Sequence, residues 1–197
     1  MKIEIFTEAD IAEAAKLAYD VWGDEFGRLG HEYGLLMCEY IVRYGWLNEE
    51  FAFKIVEEGR MLGCILAGRV TDKSSCNEWL ERHIPAMNRE QLDEALAVRT
   101  YFDRTGPKLY ARMNEETDLC LSFFISSKPG YGKVLINEIM RLAKSKGYGH
   151  LYLWTDSSCN HEYYARNGYT LVSEFKSEEW AMNDDRYLTY IYKKSVD

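Results

Sequence analysis

The stretch SSKPGYGKVLINEIM, from Ser126 to Met140, decides how the fold of this chain is interpreted. Two glycines flank Tyr131, a lysine follows them, and an amphipathic helical pattern then begins. The residues before it, DLCLSFFIS at 118–126, predict a strand. Where a strand leads through glycines into a helix, free backbone N–H groups and the helix dipole converge and can hold an anion. The stretch therefore predicts a phosphate-binding loop, with a structural turn before a core helix as the alternative.

Two common nucleotide-binding motifs do not fit this loop. A Walker loop needs glycine where Ser127 stands and Ser or Thr where Val134 stands. A dinucleotide fingerprint that begins at Gly130 needs a small residue where Leu135 stands. A third pattern, Arg/Gln-x-x-Gly-x-Gly/Ala between a strand and a helix, fits the spacing of Gly130 and Gly132.

Strand and helix patterns alternate along the rest of the chain. Thr7 with Asp10, and Asn88 with Gln91, have the spacing of capping boxes, which predicts a helix after each pair. An acidic loop is expected between the last two strands. The patterns predict strands at 2–6, 118–126, 150–155, 169–175 and 186–194, a hairpin over 51–70, and helices over 11–22, 31–44, 131–146 and 160–167.

The strand at 118–126, the helix after it and the strand at 150–155 form one crossover unit. Such a unit predicts a parallel strand pair in the middle of the sheet, and the other strands have the pattern of hairpins. The sheet is therefore expected to be mixed. Alternation within 118–126 predicts one apolar face, made of Leu119, Leu121, Phe123 and Ile125.

Residues 71–116 are more polar than their surroundings and contain a helical pattern after Asn88. Gly106 and Pro107 are expected to end this helix. We interpret the segment as an insertion packed on the same domain, because several of its apolar residues need burial. These are Trp79, Leu80, Leu92, Leu96 and Phe102.

Composition excludes several classes of protein. The chain has 197 residues and a net charge of -8, which favours one domain and argues against nonspecific nucleic-acid binding. No apolar run approaches the length of a membrane span, and the first residues lack the apolar segment of a signal peptide, so we expect a cytoplasmic protein. The five cysteines and four histidines show no metal-ligand spacing, and no metal is expected.

Three segments within residues 117–176 resemble the GNAT superfamily of acyl-CoA-dependent N-acyltransferases. They are GYGKVLINEIMRLAKSKGY, LYLWTD and YYARNGY, in the order and at the separations of that family. The resemblance implies a single-domain α/β GNAT-like fold over 1–197, with about six or seven strands flanked by helices. The helical insertion at 71–116 would precede the central strand.

The resemblance also implies a cofactor site for acetyl-CoA. The pantetheine arm would lie between the strands at 118–126 and 150–155, which splay apart, and Asn160 would contact it. Ser127 stands where the family has Arg or Gln, Lys128 would supply charge from a shifted position, and Pro129 removes one N–H. The arm would bond to the backbone of Phe124, Ile125 and Ser126, and the pyrophosphate would lie on the amides of Gly130, Tyr131, Gly132, Lys133 and Val134.

For catalysis, the resemblance places Tyr164 as the general acid that protonates the leaving thiolate. A packing role is the alternative for this tyrosine. A backbone N–H at the end of the strand at 118–126 would stabilise the oxyanion. The general base stays open: Asp118 is the first candidate, Glu116 and Asp156 are others, and each could equally be a loop or capping residue. Cys159 could be a nucleophile, but the family does not in general use a covalent acyl-enzyme.

The expected function is transfer of an acetyl group from acetyl-CoA to the amine of a small molecule or peptide by direct attack. A non-catalytic acyl-CoA-binding or regulatory module with the same fold is the alternative, and a longer acyl chain is also open. The oligomeric state is open too, with a homodimer as one option. Acids and aromatic residues that would suit a cationic amine are Asp24, Glu25, Trp22, Phe26, Trp46 and Trp79.

Overall fold

The computed structural model describes residues 1–179 and 187–196, and it has the predicted α/β architecture. Within these residues, seven strands form one mixed sheet with helices on both faces. In chain order the elements are β1 (Lys2–Ile5), α1 (Ile11–Phe26), α2 (His31–Gly45), β2 (Ala52–Glu57), β3 (Arg60–Arg69), α3 (Cys76–Glu81), α4 (Arg89–Tyr110), β4 (Asp118–Ser126), α5 (Tyr131–Ser145), β5 (His150–Asp156), α6 (Glu162–Arg166), β6 (Thr170–Lys176) and β7 (Leu188–Ser195).

The strand order across the sheet is β1-β2-β3-β4-β5-β7-β6. Strands β4 and β5 pair in parallel across the crossover helix α5, and the other described pairs are antiparallel. Local signals set several boundaries. Both predicted capping boxes form, and the turn between β2 and β3 has positive φ angles of 52° at Glu58 and 77° at Gly59.

The central parallel pair is short. Strands β4 and β5 are hydrogen-bonded only from Asp118–Cys120 to His150–Tyr152, as far as the described residues go. Beyond this point the two strands continue without pairing to each other, so they diverge toward their carboxyl ends. This divergence, which the family resemblance implied, opens the middle of the sheet.

The predicted alternation of side chains along 118–126 is wrong, because β4 contains a β-bulge. Leu66 pairs with Phe123 and Ala67 pairs with Leu121, which leaves Ser122 as an extra residue. The Ser122 hydroxyl donates to the carbonyl of Leu66 at 3.0 Å. As a result Leu121 packs in the core with α5, whereas Phe123 and Ile125 pack in the core with α1 and α2. Alternation fails here because an inserted residue reverses the faces of the residues that follow it.

The two faces of the sheet carry different helices. Helices α1, α2, α3 and α4 supply buried residues to a core with β3 and the end of β4. Helix α5 covers the other face, where Leu135 and Ile139 are fully buried. The helix ends before Gly147, whose φ of 82° is typical of a helix C-cap.

Two predictions for the insertion, the end of its helix and the burial of Leu96, are wrong. Helix α4 continues through Gly106 and Pro107 to Tyr110, because packing on both sides of the proline overrides its low helix propensity. Gly106 is buried, and a Cβ there would lie 3.1 Å from the hydroxyl of Tyr44. Leu96, predicted to be buried, is 39% exposed. The buried face of the helix is formed instead by Ala95, Val98, Tyr101, Phe102, Thr105, Gly106 and Leu109.

Residues 180–186, which form most of the predicted acidic loop, lie outside the described residues. Strand β7 begins at Leu188, two residues after the predicted start. Among the described residues, no helix has the length and apolar character that crossing a bilayer would need.

Candidate active site

A cavity of about 870 Å³ lies where β4 and β5 diverge. Its lining includes Phe124, Ile125 and Ser126 of β4, and Leu153 and Trp154 of β5. On the side toward β5, β4 has no strand partner among the described residues after Cys120, so backbone groups of this edge can bind an extended ligand. The first three of these residues are the ones expected to hold a pantetheine arm.

The glycine loop forms one wall of the cavity. Gly130, at a φ of 85°, is the N-cap of α5, and Gly130, Gly132 and Lys133 all line the cavity. Within residues 1–179 and 187–196, the amides of these three residues have no protein acceptor. Free amides at a helix N-terminus attract anions. The loop therefore has the local geometry of a phosphate site.

The other two predicted amides are already used inside the protein. The Tyr131 amide donates to the carbonyl of Lys128, and the Val134 amide donates to the carbonyl of Gly130, both at 3.3 Å. Neither Tyr131 nor Val134 lines the cavity. The loop therefore offers three free amides to an anion instead of the five that were expected.

Lys128 lines the cavity, but its ammonium is paired with the carboxylate of Glu57. The hydroxyl of Tyr131 also donates to Glu57, at 2.9 Å. The hydrogen bond from Lys128, followed by the one from Tyr131, holds the pKa of Glu57 below its usual value. Ser127 donates through both its amide and its hydroxyl to the carbonyl of Leu62, so it extends the pairing of β3 with β4.

Tyr164 lines the cavity from α6 and is half-buried. Burial raises the pKa of its phenol, and the nearby Tyr169 and Cys159 add to the rise. Its ring also packs against Tyr192, at 5.8 Å between centroids. No hydrogen bond of its hydroxyl occurs within the described residues. The hydroxyl is therefore open to a hydrogen-bond partner in the cavity, and the phenol stays protonated at neutral pH.

Asn160 and Cys159 also line the cavity. The capping alternative for Asn160 is not what forms, because His161 is the N-cap of α6 and Asn160 contributes only its carbonyl, to the amide of Tyr163. Burial raises the pKa of the Cys159 thiol to about 12, and Asp156 adds to the rise. A thiol that stays protonated is a poor nucleophile.

Asp118 lies at the paired end of β4 and is not part of the cavity lining. One of its oxygens accepts from the Asn114 amide at 2.8 Å, and the other lies 3.1 Å from Nδ1 of His150. These bonds favour a structural role for Asp118 over the predicted base role. Glu116 is exposed near the same turn and is also outside the lining.

Asp156, at the end of β5, does line the cavity, and so does Glu25 of α1. Partial burial raises the pKa of Glu25, the charges of Asp156 and Glu94 add to the rise, and Arg28 opposes it. Trp22 and Phe26 line the cavity as expected for an acceptor site. Asp24, Trp46 and Trp79 do not.

Sequence reasoning missed Tyr101, Phe102 and Tyr187, which also line the cavity. Tyr101 and Phe102 lie on the insertion helix α4, far along the chain from the glycine loop. A heptad-like apolar pattern could place them on one face of α4, but nothing local indicates that this face reaches β5. Only the packing of α4 against Trp154, with centroids 5.3 Å from Tyr101, brings them to the site.

No family model matches the chain, and no curated protein matches it either. Solved structures do match along its length. An aminoglycoside 6'-N-acetyltransferase complexed with coenzyme A is 14% identical, with a TM-score of 0.55, over 100% of this chain and 98% of that one. The aminoglycoside 6'-N-acetyltransferase from Enterococcus faecium is 15% identical, with a TM-score of 0.53, over 100% and 98%. The C-terminal condensation domain of Ebony, in complex with beta-alanyl-dopamine, is 10% identical, with a TM-score of 0.60, over 98% of each chain.

Identities this low describe the fold and not the chemistry of the site. The similar structures cover nearly the whole chain, including the glycine loop and the divergent strands. This chain therefore has the fold of the GNAT acetyltransferases, as the resemblance within residues 117–176 predicted.

Proposed function

We propose that this chain is an N-acetyltransferase that moves the acetyl group of acetyl-CoA to an amine. The observation that carries the proposal is the divergence of β4 from β5 beside the free amides at the start of α5. A pantetheine arm fits there as an added strand, bonded to the backbone of Phe124, Ile125 and Ser126. A solved structure of similar fold is complexed with coenzyme A, which supports coenzyme A as the cofactor.

The pyrophosphate of the cofactor lies on the amides of Gly130, Gly132 and Lys133. The backbone can approach the phosphates closely because two of these residues have no side chain. Lys133 is exposed and has no ion pair within the described residues, so its charge is available to the phosphates. Asn160 contacts the pantetheine arm from the opposite wall.

The reaction is a direct attack on the thioester. The amine nitrogen forms a bond to the carbonyl carbon, and the carbonyl oxygen takes the negative charge. A backbone N–H near the end of β4 donates to that oxygen. The C–S bond then breaks, and the thiolate takes the phenol proton of Tyr164.

The reaction releases one proton overall. The acceptor loses one proton as it changes from ammonium to amine, and its nitrogen loses a second as the amide forms. The second proton restores the phenol of Tyr164 through solvent. The products are therefore the acetylated amine, coenzyme A with a free thiol, and one proton.

Acetyl-CoA incubated with the chain and a panel of amines tests the proposal. We expect free thiol to appear only when an amine is present, with one acetylated amine per thiol by mass spectrometry. Tight coenzyme A binding without thiol release for any amine would instead identify the non-catalytic module. Thiol release without an acetylated amine would identify a thioester hydrolase and contradict direct attack.

A further inference from the structure

The charged groups of the cavity lie on different walls. Lys128 and Lys133 belong to the glycine loop and the first turn of α5, whereas Glu25 and Asp156 belong to α1 and the end of β5. Among the described lining residues there is no other lysine or arginine. The charged side chains on the wall formed by α1, α4 and β5 are therefore all acidic, and they complement a cation.

Asp156 is held in a fixed orientation on this wall. Its Oδ1 accepts from the amide and the hydroxyl of Ser158 at 3.0 and 2.7 Å, and its Oδ2 accepts from the Tyr101 hydroxyl at 3.3 Å. The Tyr101 hydroxyl lies 2.7 Å from Oγ1 of Thr189, so the insertion helix positions the carboxylate. Asp156 is only 7% exposed.

Neither Asp156 nor Glu25 has an ion pair within residues 1–179 and 187–196. Asp156 is buried, and a buried carboxylate that faces a cavity without a cation is costly, whereas Glu25 is exposed at the mouth of the same cavity. A cationic ligand in the cavity beside Asp156 reduces this cost. The absence of a protein cation at a buried, cavity-lining carboxylate thus points to a ligand that brings its own positive charge.

The rest of the same wall is aromatic. The ring of Trp154 lies 5.3 Å from that of Tyr101 and 5.6 Å from that of Phe102, centroid to centroid. Trp22 lines the cavity from α1 and packs on Phe123 at 6.2 Å. Such a wall favours a flat apolar body and offers few partners for hydroxyl groups.

We propose that the acceptor is a primary amine with one positive charge and an aromatic body. Its ammonium lies against Asp156 and Glu25, and its ring lies against Trp22, Tyr101 and Trp154. This inference rests on the proposed acetyl transfer for its reaction step. In that step Asp156 accepts the ammonium proton, the freed lone pair forms the bond to the carbonyl carbon, and the C–S bond breaks as already described.

The same wall discriminates against other amines. The carboxylate of an aromatic amino acid would lie near Asp156 and Glu25 and be repelled by them. An aminoglycoside would place several hydroxyl groups against aromatic rings, where they lose hydrogen bonds to water. We therefore expect kcat/KM for 2-phenylethylamine to exceed that for phenylalanine and for kanamycin by about 100-fold or more. A preference for either competitor would overturn the proposal.

A binding measurement separates this inference from the proposed reaction. N,N-dimethyl-2-phenylethylamine keeps the charge and the ring but cannot form a stable amide. Its binding can be followed by tryptophan fluorescence, since Trp22 and Trp154 lie in the wall. We expect Asp156→Asn to weaken binding of the dimethyl compound about tenfold or more. Loss of an ion pair that is shielded from water has an effect of this size.

Two further variants keep this test interpretable. Glu25→Gln lies on an exposed position of α1, so it should fold normally and still weaken binding. Asp24→Asn, next to it but outside the cavity lining, should leave binding unchanged. If the dimethyl compound binds and both cavity variants weaken it while no amine is acetylated, the proposed reaction fails and the cation site stands. Unchanged binding in both cavity variants would overturn the site itself.

Discussion

At the level of single residues, only one of the two lysines near the glycine loop is free to attract an anion, within the part of the chain that the structure describes. Lys128 is neutralised by Glu57, which also accepts from Tyr131. The ion pair is exposed enough that solvent and salt weaken it. In the proposed complex, pyrophosphate would therefore compete with Glu57 for the ammonium of Lys128.

This competition predicts opposite effects for two substitutions. Glu57→Gln frees Lys128 and should tighten coenzyme A binding about two- to fivefold, the size of an exposed charge interaction. Lys128→Met leaves Glu57 uncompensated beside the phosphates and should weaken binding by a similar factor. Calorimetry at low and high salt measures both, and both effects should shrink at high salt. Equal affinities for the two variants at low salt would rule out the competition.

The hydroxyl of Tyr164 is the proposed general acid, and a single substitution tests it. Tyr164→Phe removes only the hydroxyl, and turnover should fall roughly 10²–10⁴-fold if that hydroxyl protonates the thiolate. The raised pKa keeps the phenol protonated across pH 6–9, so the acid is present throughout this range in the wild type. The loss in the variant should shrink as pH rises, because a thiolate with a parent pKa near 8.5 then needs less protonation.

The control for this variant is coenzyme A affinity, which should change little because Gly130, Gly132 and Lys133 are untouched. Turnover close to wild type at every pH would assign Tyr164 to packing with Tyr169 and Tyr192. The fold would not be affected by that result.

At the level of elements, helix α4 connects the insertion to the site. Its buried side, which includes Tyr101 and Phe102, packs in the core beside α2 and against Trp154 of β5. The insertion is thus part of the core and also lines the cavity. A change in α4 should affect acceptor binding and stability together, while leaving the glycine loop unchanged.

Pro107 provides a test of how α4 is stabilised. It is exposed inside the helix and cannot donate a hydrogen bond to the preceding turn. Pro107→Ala should therefore stabilise the protein by about 1–2 kcal/mol, less than the full helix cost of proline because proline also restricts the unfolded chain. Urea unfolding measures the change. A less stable variant would show that the proline is needed to shape the helix.

The elements were largely predictable because their signals are local. Capping boxes at Thr7 and Asn88, and glycines such as Gly147 at positive φ, set boundaries within a few residues. The continuation of α4 through Pro107 and the bulge at Ser122 were not predictable, since they depend on what packs against those residues.

At the level of the whole molecule, the two sides of the proposed reaction come from different parts of the chain. The glycine loop and Tyr164 both lie in the segment that resembles the family, residues 117–176. The sequence alone therefore indicates the residues expected to bind the cofactor. The proposed acceptor site contains Glu25, Tyr101 and Asp156. These residues are far apart in the sequence, and only the fold brings them to the same cavity. This is why the sequence could favour an amine acceptor and yet left the base open.

The start of α5 is the proposed binding site for the pyrophosphate of acetyl-CoA. A Cβ at Gly132 would lie 2.9 Å from Cζ of Phe124, so any side chain there disturbs the loop slightly. Gly132→Ala adds this contact alone, and Gly132→Asp adds a negative charge as well. The pair therefore separates steric from electrostatic effects.

Calorimetry of coenzyme A binding to wild type, Gly132→Ala and Gly132→Asp is the most direct test. We predict that the alanine variant binds within about tenfold of wild type, and that the aspartate variant binds about 100-fold or more weakly, because like charges placed together cost several kcal/mol. Circular dichroism should show all three folded. Equal affinities for the alanine and aspartate variants, both close to wild type, would contradict the claim that phosphates lie on this loop.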